Sequence, residues 1–233
     1  MDLKQARKLI KKTNQYYKDY AVSFAGSRDR SWSLLLPLLH YIKKGDSVLD
    51  LGCGNARLYP LVKQRNGRYF GVDLSKSMLK QAKKRYSTAR FRESDILNIA
   101  GKEKFDIVFL IAVLHHIPSM ELREKAVHNV YNLLKPGGYA LITNWNLFQS
   151  GFLQARWGQN LKKFLRKSKL DWNDIMFKQK RYYHGFKKRE IARLLKKSNF
   201  QIIGNYYELE GKKTVKFRAR NLVTIARKRP LIF

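Results

Sequence analysis

An α/β fold with a mostly parallel sheet of seven strands, helices on both faces and a C-terminal antiparallel hairpin is predicted by three observations. Short apolar runs alternate with stretches of helical periodicity from residue 47 to residue 144. The first run, Val48-Leu49-Asp50-Leu51, passes straight into a glycine turn, Gly52-Cys53-Gly54-Asn55-Ala56. Two last extended runs, 200–209 and 214–227, meet at Glu210-Gly211, a hairpin signal. Strands separated by helical patterns need crossover connections, which give parallel pairing with both faces covered.

The elements follow in chain order. Residues 3–20 carry Leu3, Ala6, Ile10, Tyr17 and Tyr20 at helical spacing among lysines, and 31–43 read as a second helix. The alternating core then runs as strand 47–51, helix 56–65, strand 68–72, helix 75–86, strands 89–92 and 105–110, helix 121–134 and strand 138–144. Residues 147–181 interrupt this order. There Phe152, Leu153, Trp157, Leu161, Phe164 and Leu165 recur at helical spacing between basic residues, which fits either a helix packed on the sheet edge or a lid. Helix 187–198 precedes the final hairpin. The expected organisation is one domain over 1–233, with a helical substrate-side segment (1–45), a ligand-binding core (46–146), a basic insert or lid (147–186) and a closing helix and hairpin (187–233).

Composition narrows the partners. The net charge is +32, with 49 Lys and Arg against 17 Asp and Glu. Residues 147–233 alone hold 23 of the basic residues and 5 of the acids, so over half of the excess lies in the last third. Such a chain repels itself unless an anion is near, and RNA is the leading candidate ahead of an anionic membrane or an acidic protein. The single cysteine, Cys53, excludes an internal disulfide and an all-thiolate metal site and suits a reducing cytoplasm. No apolar run approaches the roughly 20 residues that span a bilayer, and the start Met1-Asp2-Leu3-Lys4 lacks a signal-peptide pattern.

The glycine turn defines a ligand class. Gly52 and Gly54 let the backbone approach a ligand closely, but Ala56-Arg57 stands where a dinucleotide fingerprint continues toward a third glycine. A ligand with a ribose and a zwitterionic amino acid, and no phosphate, fits better. Asp73, closing Tyr69-Phe70-Gly71-Val72, can accept both ribose hydroxyls, and Asp50 can anchor the loop or an ammonium. Ser94-Asp95-Ile96 offers an acid for an adenine amino group. The strand Phe105–Leu110 leads to His115-His116, and Leu133-Leu134-Lys135-Pro136-Gly137-Gly138 opens the next strand.

This order of motifs, over about residues 46–146, resembles the Rossmann-like class I S-adenosylmethionine-dependent methyltransferases. The resemblance implies that Asp50, Gly52, Gly54, Asp73 and Asp95, with backbone near Ile96 and Ala112, bind S-adenosylmethionine. Four further stretches are Tyr20–Trp32, Val113–Ile117, Asn144-Trp145-Asn146 and Arg181-Tyr182-Tyr183-His184-Gly185-Phe186. They resemble the tRNA methyltransferases that esterify a carboxymethyl group on the wobble uridine, and the likeness extends over nearly the whole chain. Two departures are Gly-Asn-Ala for the family's Gly-Asn-Gly and a short, divergent stretch after Trp145.

The family reading implies a tRNA anticodon arm as partner, no membrane, and in many members a small zinc-binding activator protein. A carboxylate acceptor is already ionised at pH 7, so its methylation needs positioning rather than a general base. Arg28 and Arg181 can fork onto a carboxylate. His116, rather than its packing neighbour His115, can donate at the end of the fourth strand, and Trp145 can stack on a uracil. Trp32, Tyr183 and His184 complete the expected substrate-binding set.

Other chemistries fit less well. The fourth strand leads to Leu114-His115-His116-Ile117 and not to the Asn-Pro-Pro motif of amino-group methylation. Cytosine C5 methylation needs a cysteine nucleophile, and Cys53 lies in the glycine turn. The five histidines show no metal-ligand spacing. The rival readings are a small-molecule carboxyl or oxygen methyltransferase, active without RNA, and a non-catalytic basic RNA-binding protein on the same fold, unable to bind the cofactor.

Overall fold

The computed structural model describes residues 1–20, 33–99, 101, 103–165, 168–177 and 180–230. Helix α1 (Leu3–Asp19) begins where the Asp2 carboxylate accepts the Gln5 amide hydrogen. The core contains strands β1 (Ser47–Leu51), β2 (Arg68–Asp73), β3 (Arg90–Glu93), β4 (Phe105–Ile111) and β5 (Leu134–Trp145). Between them stand helices α2 (Tyr59–Gln64), α3 (Lys76–Arg85) and α4 (Met120–Leu133). Beyond it come α5 (Leu153–Phe164), β6 (Asp174–Phe177), β7 (Arg181–His184), α6 (Lys188–Lys197), β8 (Phe200–Leu209), β9 (Lys212–Thr214) and β10 (Asn221–Lys228).

The main sheet has the order β3-β2-β1-β4-β5-β10-β8-β9. The pairs from β3 to β5 are parallel and those from β5 to β9 antiparallel. The sheet thus has eight strands against the seven expected. The difference arises at 214–227, which is two strands rather than one. The Glu210-Gly211 turn, with φ of 53° and 86°, folds β9 back onto β8, and the chain then crosses to put β10 on the other side of β8.

Three other expectations change. The second helix shrinks to a 3₁₀ turn over Leu36–Tyr41 with Pro37 at its start, and 31–32 fall outside the described residues. Helix 56–65 starts only at Tyr59, because Ala56 takes a left-handed φ of 59°. Within 147–186 the separate antiparallel pair β6–β7 was not predicted. Its strands are four residues each, too short to show a period.

Side-chain alternation explains why the sheet is covered twice. Leu49, Val108, Ala140 and Leu222 join one buried cluster, while Val48, Ile107, Leu141 and Val223 join another. Neighbouring residues of a strand point to opposite faces, so each strand supplies both cores. The C-terminal ends of β1, β2, β4 and β5 converge on one edge, and α1 lies across it, touching β7 and α3. Functional cavities of open α/β sheets form at this edge.

Candidate active site

A cavity at that edge is lined by the turn after β1, by Asp73, Asp95 and Ile96, by Ala112 and His116 after β4, by Trp145, and by Ile10, Thr13, Asn14 and Tyr17 of α1. The turn owes its shape to its residues. Gly52 (φ 82°) and Gly54 (φ 54°) lie in the left-handed region, and a Cβ at Gly52 would run into the Val113 side chain. Ala56 is in the same region, at φ 59°, where a side chain is strained and a glycine would not be. Ala112, also left-handed at φ 58°, is held by its amide hydrogen bond to the Thr143 carbonyl at 3.0 Å.

Three acids face this cavity in different surroundings. Asp50 is buried, and burial pushes its carboxyl up to about 7 although the Tyr69 hydroxyl donates to it at 2.9 Å. The Asp73 carboxylate accepts from the Gly54 and Ser75 amides, both at 2.8 Å, so it braces the turn with one bond to each oxygen. Burial raises its carboxyl, and these amide bonds oppose the rise. Asp95 accepts the Leu97 amide hydrogen at 2.9 Å and so shapes its own loop. Asn55, also in the wall, keeps a buried Nδ2 donor with no partner among the described residues. Two close carboxylates, an orphan donor and a glycine cradle suit a ligand that brings cationic groups and hydroxyls.

The other half of the site is aromatic. The His116 Nδ1 lies 3.1 Å from the Tyr182 carbonyl oxygen, which can only accept, so Nδ1 carries the proton. Its Nε2 is then the acceptor of the Tyr17 hydroxyl at 2.9 Å. His115 is wholly buried, accepts the Trp145 amide hydrogen on Nδ1 at 3.3 Å, and packs at 5.6 Å against the Trp145 ring. Trp145 stacks on Tyr183 with centroids 5.1 Å apart. Behind this pair, the Arg181 guanidinium sits 4.5 Å over Tyr16, 5.3 Å from Phe177 and 5.6 Å from Tyr183. Arg181 is 8% exposed, has no ion pair among the described residues and keeps an unpartnered Nε.

The expected residues are therefore distributed as follows. Asp50, Gly52, Gly54, Asp73, Asp95, Ile96, Ala112, His116 and Trp145 share the cavity wall. Tyr183 and Arg181 stand in the ring cluster beside it. His184 is elsewhere: its two ring nitrogens lie 2.6 Å from Asp174 Oδ1 and 2.6 Å from Glu190 Oε1, which is the geometry of a clamp between β6–β7 and α6. Arg28 and Trp32 lie outside the described residues. Tyr17 was read only as part of an apolar helix face. The usable signal was that Thr13 and Asn14 share that face with Ile10 and Tyr17 at the spacing i, i+3, i+4, i+7, which placed polar groups where a packed helix needs none.

Fold and cavity together define a methyltransferase of the S-adenosylmethionine-dependent class. The chain belongs to the methyltransferase domain family, whose model matches residues 42–210. It is 30% identical over 136 residues to the tRNA (carboxymethyluridine(34)-5-O)-methyltransferase of Arabidopsis thaliana, covering 58% of this chain and 33% of that one. The chain thus spans about a third of that relative's length. It is 27% identical to a putative methyltransferase of Encephalitozoon cuniculi, over 85% of this chain and 91% of the other. It is 28% identical to a ubiquinone biosynthesis O-methyltransferase of Alkalilimnicola ehrlichii, over 57% and 56%.

Among solved structures, a SAM-dependent methyltransferase of Methanosarcina mazei superposes with a TM-score of 0.70 at 20% identity, over 84% of this chain and 99% of that one. A Haloferax volcanii methyltransferase in complex with the Trm112 activator gives a TM-score of 0.68 at 15% identity, over 95% and 99%. Among the described residues no group of three or more His, Cys, Asp or Glu is arranged to hold a metal, and no helix is long and apolar enough to cross a membrane.

Proposed function

We propose that this methyltransferase esterifies the carboxylate of a carboxymethyl-type substituent on the wobble uridine of tRNA. The observation that carries this reading is Arg181. A buried guanidinium with no carboxylate partner among the described residues is costly to maintain, and an acceptor carboxylate is the partner its planar fork would take in two hydrogen bonds. The +32 charge and the identity to the Arabidopsis enzyme support a tRNA acceptor over a free metabolite. The anticodon arm would then be the partner, the cytoplasm the compartment, and an activator subunit of the kind bound to the Haloferax protein a candidate companion.

The residues divide the work. Gly52, Gly54 and Asp50 would hold the amino-acid end of S-adenosylmethionine, Asp73 its ribose, and Asp95 with backbone near Ile96 its adenine, with Ala112 beside the methyl-bearing sulfur. Bound there, the cofactor supplies an electrophilic methyl carbon on a sulfonium. Arg181 would grip the acceptor carboxylate along its two-oxygen edge and leave a lone pair on the far side of one oxygen to attack. Trp145, backed by Tyr183, would stack on the uracil. The Tyr17 ring, held in place by His116, would wall the acceptor by shape and keep it in line with the methyl carbon. Such alignment is worth several kcal/mol, on the order of 7–11 at best. Arg28 and Trp32 remain part of the proposed substrate side.

A second reading rests on Tyr17 and His116. A hydroxyl acceptor needs its proton removed, and His116 Nε2, reached through Tyr17, could take it. A small-molecule O-methyltransferase would use this pair. Nucleoside mass spectrometry of tRNA lacking the final modification, treated with the protein and isotopically labelled cofactor, separates the two. The expected product is a carboxymethyl-type uridine one methyl heavier. Turnover of small hydroxylated acceptors with no tRNA product would contradict the tRNA reading.

A further inference from the structure

Helix α5 has no buried residue, which is unusual for an amphipathic helix in a folded chain. Trp157, Leu161 and Phe164 are 72%, 59% and 77% exposed, and their spacing puts them on one face. Trp172, itself more than half exposed, stands nearby with the Lys163 ammonium 4.6 Å over its ring. Every charged residue of α5 is basic: Arg156, Lys162 and Lys163.

Three cations gather at Phe148, one of them, Arg156, on α5 itself. The Arg156 guanidinium lies 4.4 Å over the Phe148 ring and the Lys216 ammonium 3.8 Å from the same ring. Burial, followed by the charges of Lys187 and Arg156, holds the Lys216 ammonium below its usual value. None of Arg156, Lys187 and Lys216 is in an ion pair among the described residues. The surface is continuous with the acceptor side. Phe152, just before α5, meets Trp145 with ring centroids 6.4 Å apart, and the Asn146 side chain donates to the Lys216 carbonyl at 2.6 Å.

From this juxtaposition we infer that the exposed face of α5, with Arg156, Lys187 and Lys216, docks an unpaired RNA segment flanking the nucleotide that enters the acceptor pocket. Exposed rings stack on bases whatever their sequence, and clustered cations take the backbone phosphates between them. A second copy of the chain is disfavoured, because two basic faces of chains each carrying +32 would meet. The inference rests on the RNA-substrate reading and adds the surface to it.

The test compares the full chain with the double variants Trp157→Ala with Phe164→Ala, and Lys187→Gln with Lys216→Gln. The readouts are the Kd for a tRNA transcript across a salt series, the Kd for S-adenosylmethionine, and binding to phosphatidylserine vesicles. All four side chains are largely outside the core, and an unchanged cofactor Kd certifies the fold. The expected result is tRNA binding weakened about tenfold or more by either pair, since each stacked base contributes about 1–3 kcal/mol. The salt slope should fall by about 0.7 for each phosphate that the lysine pair no longer neutralises. Unchanged tRNA affinity and slope in both pairs, with the parent chain still methylating tRNA, overturn this surface and leave the substrate reading standing. Variants that lose vesicle binding but keep tRNA binding assign the face to a membrane and also overturn it. A parent chain that neither binds nor methylates tRNA overturns both.

Discussion

Arg181 shows how much a single side chain can say about an acceptor. Its guanidinium is walled by Tyr16, Phe177 and Tyr183, and rings contribute cation–π attraction but accept no strong hydrogen bonds. Among the described residues no anion neutralises it, so the site is polarised toward one. Arg181→Lys keeps the charge and loses the fork. It should lower kcat/KM for tRNA about a hundredfold, equivalent to about 3 kcal/mol, with cofactor affinity unchanged. Turnover equal to the parent would remove Arg181 from the acceptor site.

At this scale the two halves of the site differ in how legible they were. Asp50, Gly52, Gly54 and Asp73 are readable because a strand, a tight turn and a second strand fix their roles within a short stretch of chain. Tyr17 was not, because its meaning comes from His116, 99 residues away, and from the Tyr182 carbonyl, which orients His116 from 66 residues away. The Arg181 position was legible only through a family motif, since it is one of 23 basic residues in its third of the chain.

At the scale of elements, the pair β6–β7 positions the aromatic half of the site. Its register puts Asp174 opposite His184, and His184 then reaches Glu190 in the first turn of α6. This ties the strands carrying Arg181 and Tyr183 to the helix that packs on β8. Burial acts to raise the Glu190 carboxyl, but the His184 hydrogen bond and charge, with the Lys187 amide, hold it below its usual value. A lowered folded-state value stabilises the protein above the ordinary carboxylate range, and that contribution is lost as pH falls through and below it. Glu190→Gln should therefore cost about 1 kcal/mol at pH 7, a modest figure because this carboxylate still meets water. The gap to the parent should narrow by pH 4. Denaturant unfolding at both pH values measures this, and a gap that widens on acidification would contradict the clamp. The same elements mark where pattern reading ran out. Four-residue strands show no period, and a helix whose apolar face is exposed cannot be told by spacing from one whose face is buried.

For the whole molecule, chemistry and charge are segregated. The parallel half of the sheet supplies the acidic cavity that suits a cationic donor, while over half of the surplus positive charge lies in the last third, which also carries the Arg181 and Tyr183 ring cluster. The fold class was legible because alternation of strand and helix is written locally. The crossing of β10 between β5 and β8 was not, since a strand's place in a sheet depends on partners distant in sequence.

On the proposed reading, the methyl group ends on a carboxylate oxygen of tRNA. A methyl ester is cleaved by mild alkali to release methanol, whereas methyl groups on nitrogen, carbon or ether oxygen are retained. Transfer of a radiolabelled methyl group to tRNA, followed by mild alkaline treatment and counting of the volatile fraction, tests the claim most directly. Release of essentially all the tRNA-bound label is the predicted result; label that stays on the tRNA after alkali would contradict it.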